Sequence, residues 1–326
     1  MILEHKMLFA PAAAFGLSLA TLLVLLRFPE LLVDQPNQRS LHVVPVPRTG
    51  GIAIVTGLLI AVAAMVPGFA VFILCALLIA IISLIDDWRH LRPLTRFGAQ
   101  GLIAATFCNF ALGQPSFSES IFLVLAIVWL SNLYNFMDGS DGLAGGMSLI
   151  GFGACAIGAW MAGNAPLSML CGSIAAASIP FLASNFHPAR IFMGDIGAVT
   201  LGFSAAAVGA MGWRDGVWSP FFPVFAFSPF IADASLTLLH RILKKEKFWQ
   251  PHREHYYQKL VRMGLGHRMT ALVEYGVMTV SAGGAIATLF MDGSAQLAAI
   301  VAWGTLLILA AALIDRRWAI YEGERQ

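Results

Sequence analysis

The 326-residue chain reads as an all-α polytopic membrane protein of about eleven transmembrane helices, with its N-terminus outside and its C-terminus cytoplasmic. Three observations lead there. Hydrophobic residues make up 58% of the chain and charged residues 12%, with a mean hydropathy of +0.77, whereas a soluble domain carries about 25% charged residues. Apolar runs long enough to cross a bilayer recur along the whole length. Once those runs are counted as crossings, Lys and Arg gather on one side.

Taking roughly 17 to 25 residues per span, the runs fall at 7–26, 50–67, 69–85, 97–113, 119–137, 142–162, 165–184, 196–213, 217–240, 269–290 and 295–314. The first, Met7 to Leu26, is longer than a signal-peptide core and shows no small-residue cleavage site, so it is kept as a membrane helix. An odd number of crossings puts the two ends on opposite sides. With the C-terminus inside, 18 of the 20 Lys and Arg residues are cytoplasmic. They are Arg27, Arg39 and Arg48; Arg89, Arg92 and Arg96; Arg190; the eight in Arg241–Arg268; and Arg316, Arg317 and Arg325. Only Lys6 and Arg214 stay outside. One miscounted helix in the middle would carry every later loop to the other side and destroy that asymmetry.

The outer connections are short and poor in chemistry, so function is expected on the cytoplasmic face. A net charge of +2 in scattered basic clusters gives no reason to expect a nucleic-acid partner. The cysteines, Cys75, Cys108, Cys155 and Cys171, lie inside apolar runs without metal-ligand spacing and read as small hydrophobes. The pattern Gly151-Phe-Gly153-Ala-Cys-Ala156 sits mid-helix with no strand before it, a chance match to a dinucleotide fingerprint. One membrane domain, 1–326, is expected, with its site built from loops near 28–49, 86–96, 132–142, 185–195 and 241–268.

Carboxylates at a membrane edge are expensive and call for a functional explanation. The third run ends in Asp86-Asp87, the fifth in Asn132, Asn135, Asp138 and Asp141, and the seventh leads through Asn185, Arg190, Phe192 and Gly194 to Asp195. Crowded together without a cation these carboxylates would repel one another, so a divalent metal or charged ligand is the natural resolution. The intervals of three from Asn132 to Asp141 would share a face if the helix continued, although Gly139 and Gly142 suggest that it frays. Capping explains one Asp there but not two Asn and two Asp together. An EF-hand loop fails because the twelfth residue from Asp138 is Leu149, where a Glu is required.

Each remaining group has an ordinary alternative. Asp86 and Asp87 could pair with Arg89, His90 or Arg92 at a solvated edge. Adjacent helical residues point about 100° apart, so the two should not share a task. Asp195 could simply cap the next helix, and Asp233, about two turns before Arg241, could pair with it structurally. The basic loop containing His252, Arg253 and His255, with Arg190, Arg39, His42 and Arg48, offers cations to an anion larger than one phosphate; a positive-inside surplus attracting anionic lipid would explain only the charge.

At this point the sequence resembles the polyprenyl-phosphate N-acetylhexosamine-1-phosphate transferases, the glycosyltransferase family 4 enzymes that initiate O-antigen, common-antigen, teichoic-acid and peptidoglycan lipid intermediates. The resemblance spans almost the whole chain through four motifs in the same order. They are Arg39 to Gly51, Asp86-Asp87 with Arg96 and Gln100, Asn132 to Gly146, and Asn185 to Gly202 containing Phe192-Met-Gly-Asp195. The His252-Arg-Glu-His255 segment is a fifth and more variable one.

The resemblance implies an enzyme that moves a sugar 1-phosphate from a UDP-N-acetylhexosamine to a polyprenyl phosphate such as undecaprenyl phosphate, releasing UMP and initiating a cell-surface glycan such as that of lipopolysaccharide. It implies Mg²⁺, with Mn²⁺ as a substitute, and an active site on the cytoplasmic face of the inner membrane. Carried over by motif, Asp195 and Asn135 look like metal or pyrophosphate residues, and Asp86 and Asp87 like residues handling the lipid phosphate and its proton. Asp138 falls in the substrate-binding motif, Asp141 with Phe192 resembles the uracil contacts, and His252, Arg253 and His255 resemble the pyrophosphate or sugar loop. Arg190, Arg48 and His42 complete the substrate-binding set. The loop looks closer to the O-antigen or capsule initiators than to the phospho-N-acetylmuramoyl-pentapeptide branch. A homo-oligomer is compatible with the sequence.

The acceptor phosphate is largely dianionic at pH 7, its second pKa being near 6, so a single displacement with Asp86 or Asp87 as base and orienter is preferred to an aspartyl-phosphate route. A secondary transporter would instead place its polar residues near midplane on broken helices. A membrane anion-binding protein would not need five carboxylates opposite its basic loop.

Overall fold

In a bilayer the backbone must satisfy its own N–H and C=O groups, and the apolar runs accordingly become helices. The computed structural model describes residues 6–36, 41, 44–89, 91–246 and 252–324. Its helices, in order, are α1 (Ala10–Leu25), α2 (Gly50–Met65), α3 (Ala70–Arg89), α4 (Pro93–Ala111), α5 (Phe117–Phe136), α6 (Leu143–Met161), α7 (Ala165–Asn185), α8 (Gly194–Arg214), α9 (Phe221–Ala226), α10 (Ser228–Leu243), α11 (Tyr256–Leu260), α12 (Gly266–Thr288) and α13 (Gly293–Gly323). The protein is multi-pass. By length and composition seven helical stretches can cross a membrane: α3, α5, α6, α7, α8, the stretch Tyr256–Thr288, which is kinked at Gly264, and α13. Helices α1 and α2 are shorter apolar ones.

Each expected run falls on one main helix except the ninth, which breaks at Phe227 into α9 and α10. The cause is local: Pro229 has no N–H and cannot accommodate the carbonyl four residues earlier, that of Phe225. Ser228 Oγ donates to the Phe225 carbonyl at 2.8 Å, and Trp303 Nε1 donates to Ser228 Oγ at 2.8 Å. The polar groups at the break are therefore answered by neighbouring protein.

Helix α8 is the centre of the bundle, buried almost all round from Ile196 to Gly212. Close approach there depends on glycine. A Cβ at Gly51 would collide with the backbone of Gly197, and one at Gly202 would collide with the Leu130 carbonyl on α5. Helix α13 is the opposite case: Ala311 is its one buried residue, and Leu297, Val301, Leu306, Leu309 and Leu313 are exposed in the isolated chain.

Two short strands frame one end of the bundle. β1 (Val33–Asp34) pairs antiparallel with β2 (Val46–Pro47), matching Val33 with Pro47 and Asp34 with Val46. The segment after β2 is stitched to the entry of α8: Phe192 N donates to the Pro47 carbonyl at 2.7 Å, Gly50 N to the Phe192 carbonyl at 2.9 Å, and Gly51 N to the Met193 carbonyl at 2.8 Å. Gly194, at φ +73°, turns the chain into α8, and a Cβ there would come 2.5 Å from the Arg48 carbonyl.

Candidate active site

The end of α3, the start of α4, the end of α5, the entries to α2 and α8 and the loop after α10 meet at one end of the bundle, carrying most of the expected side chains with them. Asp86 and Asp87, both buried, diverge as their helical spacing requires. Asp86 accepts from Leu91 N at 2.8 Å and from Arg96 Nη1 at 2.9 Å. Asp87 turns to other elements: Ile196 N donates to its Oδ2 at 3.3 Å, Arg48 Nη2 donates to its carbonyl at 2.6 Å, and Arg48 Nη1 stands 3.3 Å from Oδ1. Neither takes the membrane-edge pairing with Arg89 or Arg92 weighed from sequence; Arg89 lies over the Trp88 ring, 4.8 Å from its centroid.

Asp195 is not a cap for α8, which carries no side-chain cap; the N–H at that end is answered by Asp87 from α3. Asp195 is free for other contacts. The Asn135 side chain hydrogen-bonds its carboxylate, and Arg96 Nη1 lies 3.7 Å from its Oδ2. Arg96 thus bridges Asp86 and Asp195.

The residues from Asn132 to Asp141 do not share a face, because α5 stops at Phe136. Asn132 turns inward and donates to Gln100 Oε1 at 2.6 Å. Asn135 reaches Asp195. Burial, together with the charges of Asp195, Asp87 and Asp34, pushes the Asp138 carboxyl well above its usual range. Asp141 faces a different group: His187 Nδ1 lies 2.6 Å from its Oδ2, Ala189 N donates to the same oxygen at 3.2 Å, and His267 Nδ1 is 3.8 Å from Oδ1. It does not cap α6, which has no side-chain cap; the N–H of its N-cap residue Gly142 goes to Asn185 Oδ1 at 2.9 Å.

Asp233 does not pair with Arg241, which binds Glu246 and Glu254 at 2.9 and 2.7 Å. Instead it receives the basic loop. Its Oδ1 accepts from Tyr256 N at 3.1 Å and lies 3.0 Å from His255 Nδ1, while its Oδ2 accepts from Tyr257 N at 3.0 Å. The His255 ring stacks 5.0 Å from that of His252 and lies 6.2 Å from Phe136. Burial, then the neighbouring His255 and Arg241, push His252 down to about 4, and its Nδ1 is buried without a hydrogen-bond partner.

Of the remaining expectations, Arg190 is exposed, and Phe192 is half-buried and contributes its backbone to the stitch with β2. Arg253 accepts Arg262 Nη1 on its carbonyl at 3.1 Å. His42, like Arg39 and His90, lies outside the described residues. Sequence reasoning missed Asp34, His187 and His267. Their sequence signal was position: Asp34 and His187 lie inside the loops expected at 28–49 and 185–195, and His267 at the end of the loop expected at 241–268, just before the tenth run.

Among the described residues no three His, Cys, Asp or Glu side chains form a ready-made metal cage. That fits Mg²⁺, which typically takes one or two carboxylates plus water and substrate phosphate rather than an all-protein shell. Asp87 Oδ1 is buried without a hydrogen bond, and Asp138 is held in a surplus of negative charge. The negative surplus around Asp138 would be relieved by a divalent cation held by Asp138 and Asp195, leaving Asp87 Oδ1 open to a proton.

The family model described as glycosyl transferase family 4 matches residues 69–212, the stretch holding Asp86, Asn135, Asp141 and Asp195. The chain is 31% identical over 287 residues to the "Probable undecaprenyl-phosphate N-acetylglucosaminyl 1-phosphate transferase" of Bacillus subtilis, covering 80% of each protein. It is 31% identical over 340 residues to the "Decaprenyl-phosphate N-acetylglucosaminephosphotransferase" of Mycobacterium leprae, covering 87% of this chain and 84% of the relative. Identity to the "Undecaprenyl-phosphate alpha-N-acetylglucosaminyl 1-phosphate transferase" of Yersinia pestis is 27% over 264 residues, covering 73% and 71%. The chain therefore belongs to glycosyl transferase family 4, the polyprenyl-phosphate N-acetylhexosamine-1-phosphate transferases.

Proposed function

We propose that this enzyme transfers N-acetylhexosamine 1-phosphate from a UDP-sugar to a polyprenyl phosphate, on the cytoplasmic face of the inner membrane, as the first step of a cell-surface glycan. The observation that carries the reading is the junction of the acidic centre of Asp87, Asp138 and Asp195 with the His252–His255 loop, through Tyr257 and the end of α5. Cation and phosphate-binding groups are then side by side, as transfer between two phosphorylated substrates requires. The relatives' names make UDP-N-acetylglucosamine the first donor to test. The N-terminus outside and eleven crossings, with α9 and α10 making one of them, are the arrangement most consistent with the 18-to-2 distribution of basic residues.

An acceptor phosphate oxygen attacks the phosphorus that carries the sugar. A new P–O bond forms, the P–O bond to the bridging oxygen breaks, and UMP leaves with that oxygen. Mg²⁺, when bound, neutralises charge on the pyrophosphate oxygens. Asp87, buried and with one oxygen lacking a hydrogen bond, takes the residual proton of a monoanionic acceptor. Asp86 has both oxygens engaged and acts by holding Arg96 toward Asp195. His252, Arg253 and His255 bind the donor phosphates; Asp141 accepts the uracil N3–H, with Phe192 against the base. The broken α9–α10 helix does not favour a transporter, since its break carries no charged group.

The test is direct. Purified protein with labelled UDP-N-acetylglucosamine, polyprenyl phosphate and Mg²⁺ should yield lipid-linked sugar diphosphate and UMP in equal amounts. UMP released in stoichiometric amount without acceptor would overturn single displacement, and no lipid product across a panel of UDP-N-acetylhexosamines would overturn the reaction.

A further inference from the structure

We propose that Asp233 is a positioning residue of the active centre, fixing the orientation and tautomer of His255 so that its Nε2 is the ring atom offered to the donor phosphates. The role assigned to His255 rests on the function proposed above; the Asp233–His255 geometry does not.

Asp233 sits on α10 in an apolar run, 8% exposed, where an ionised carboxylate is costly unless fully hydrogen-bonded. It is fully hydrogen-bonded. Oδ1 meets His255 Nδ1 at 3.0 Å, Tyr256 N at 3.1 Å and Thr237 Oγ1 at 3.2 Å, and Oδ2 meets Tyr257 N at 3.0 Å. An ionised carboxylate only accepts, so all four partners must be donors, and His255 must carry a hydrogen on Nδ1. In neutral imidazole the lone pair is then on Nε2.

The local sequence explains why this needs a residue from another helix. His255 occupies the N-cap position of α11, where Ser, Thr, Asp or Asn would ordinarily answer the first N–H groups from its own side chain. His255 closes the turn through a capping box with Gln258, whose Oε1 accepts from His255 N at 3.2 Å. The first two N–H groups of the helix, those of Tyr256 and Tyr257, are answered by Asp233 from 22 residues earlier, and the same carboxylate holds His255 Nδ1. The ring is then packed beside His252 and Phe136, and Phe136 follows Asn135, the partner of Asp195. A carboxylate holding one imidazole nitrogen so that the other is correctly presented is the arrangement used by catalytic and metal-binding histidines.

Two readouts on the full-length protein in detergent test this. In ¹⁵N-histidine NMR, with His255→Gln used to assign the ring, wild type should show the Nδ1–H tautomer. Asp233→Asn, whose NH₂ confronts donors, should shift the signal, and Asp233→Glu should restore it. In kinetics, Asp233→Asn should lower kcat about 10- to 100-fold, with donor KM changed less than about threefold, but should cost less than about threefold in a His255→Gln background. Equal losses in the two backgrounds, or an unaltered ring signal in Asp233→Asn, overturns the positioning role. Where Asp233→Asn does not fold, the wild-type signal decides alone: an Nε2–H tautomer overturns the proposal. A wild type that turns over no UDP-sugar while its ring signal responds to Asp233→Asn overturns the reaction and retains the positioning.

Discussion

The buried Tyr257 donates its phenolic hydroxyl to the Phe136 carbonyl at 3.1 Å, tying the basic loop to the last turn of the helix that delivers Asn135. A Cβ on Gly139 would collide with that same hydroxyl. Tyr257→Phe should retain the fold and lower kcat/KM about three- to tenfold, since a neutral hydrogen bond contributes about 0.5–1.5 kcal/mol net. Gly139→Ala should cost more, because overpacking adds about 1–3 kcal/mol and displaces the ring. Steady-state kinetics with varied donor checks both; a fully active Gly139→Ala would show that the loop need not dock there.

Gly51 and Gly197 bring α2 and α8 into backbone contact beneath the site. Gly51→Ala should destabilise the protein by about 1–3 kcal/mol, and by more if the helices cannot part. Thermal unfolding in detergent, compared with Gly153→Ala, where a Cβ meets open space, should show a loss only in the first.

Asp195→Asn preserves shape but removes a hard anionic oxygen of the kind Mg²⁺ uses. Turnover should fall at least about 100-fold at low Mg²⁺, about 2.7 kcal/mol at 1.36 kcal/mol per decade, with folding intact. Near-normal activity would assign Asp195 to packing around Arg96 and Asn135.

Asp141→Asn should narrow the preference for UDP over CDP donors. An ionised Asp accepts the uracil N3–H, and a charged hydrogen bond contributes roughly 1.5–3 kcal/mol, about ten- to a hundredfold. An amide can also serve cytosine by rotation, but His187 and Ala189 N already hold one oxygen, which limits that rotation. Competition between UDP- and CDP-sugars measures the ratio; undiminished base discrimination with lost lipid-phosphate binding would move Asp141 out of the uracil site.

His252 contributes to the acid sensitivity of the free enzyme. Its folded pKa is about 4 against about 6.5 unfolded. The unfolded chain therefore binds the extra proton first, and stability falls as pH drops from about 6.5 to 4. For this half-buried group, after solvent screening, the loss is on the order of 1–2 kcal/mol. Asp138 works in the opposite sense, so the comparison is wild type against His252→Gln, which should be flatter across that window in detergent unfolding.

The sequence by itself determined that this is a multi-pass membrane protein, where its helices lie, and which carboxylates and histidines stand at their ends. Transfer of apolar surface is nearly additive along the chain, so hydropathy and the Lys/Arg distribution carry that information locally. Pairing is not additive. Only the tertiary structure decided that Asp86 and Asp87 part toward Arg96 and Arg48, that Asp195 is relieved of capping by Asp87, and that Asp141 faces His187 rather than its neighbours in sequence. It also brought Asp34, a residue of an inconspicuous two-residue strand, into the field of Asp138. The break at Phe227 was readable in principle from Pro229, whose missing N–H is a local property. The use of Asp233 was not, because a buried carboxylate takes its meaning from donors 22 to 24 residues away that reach it only when the loop folds back.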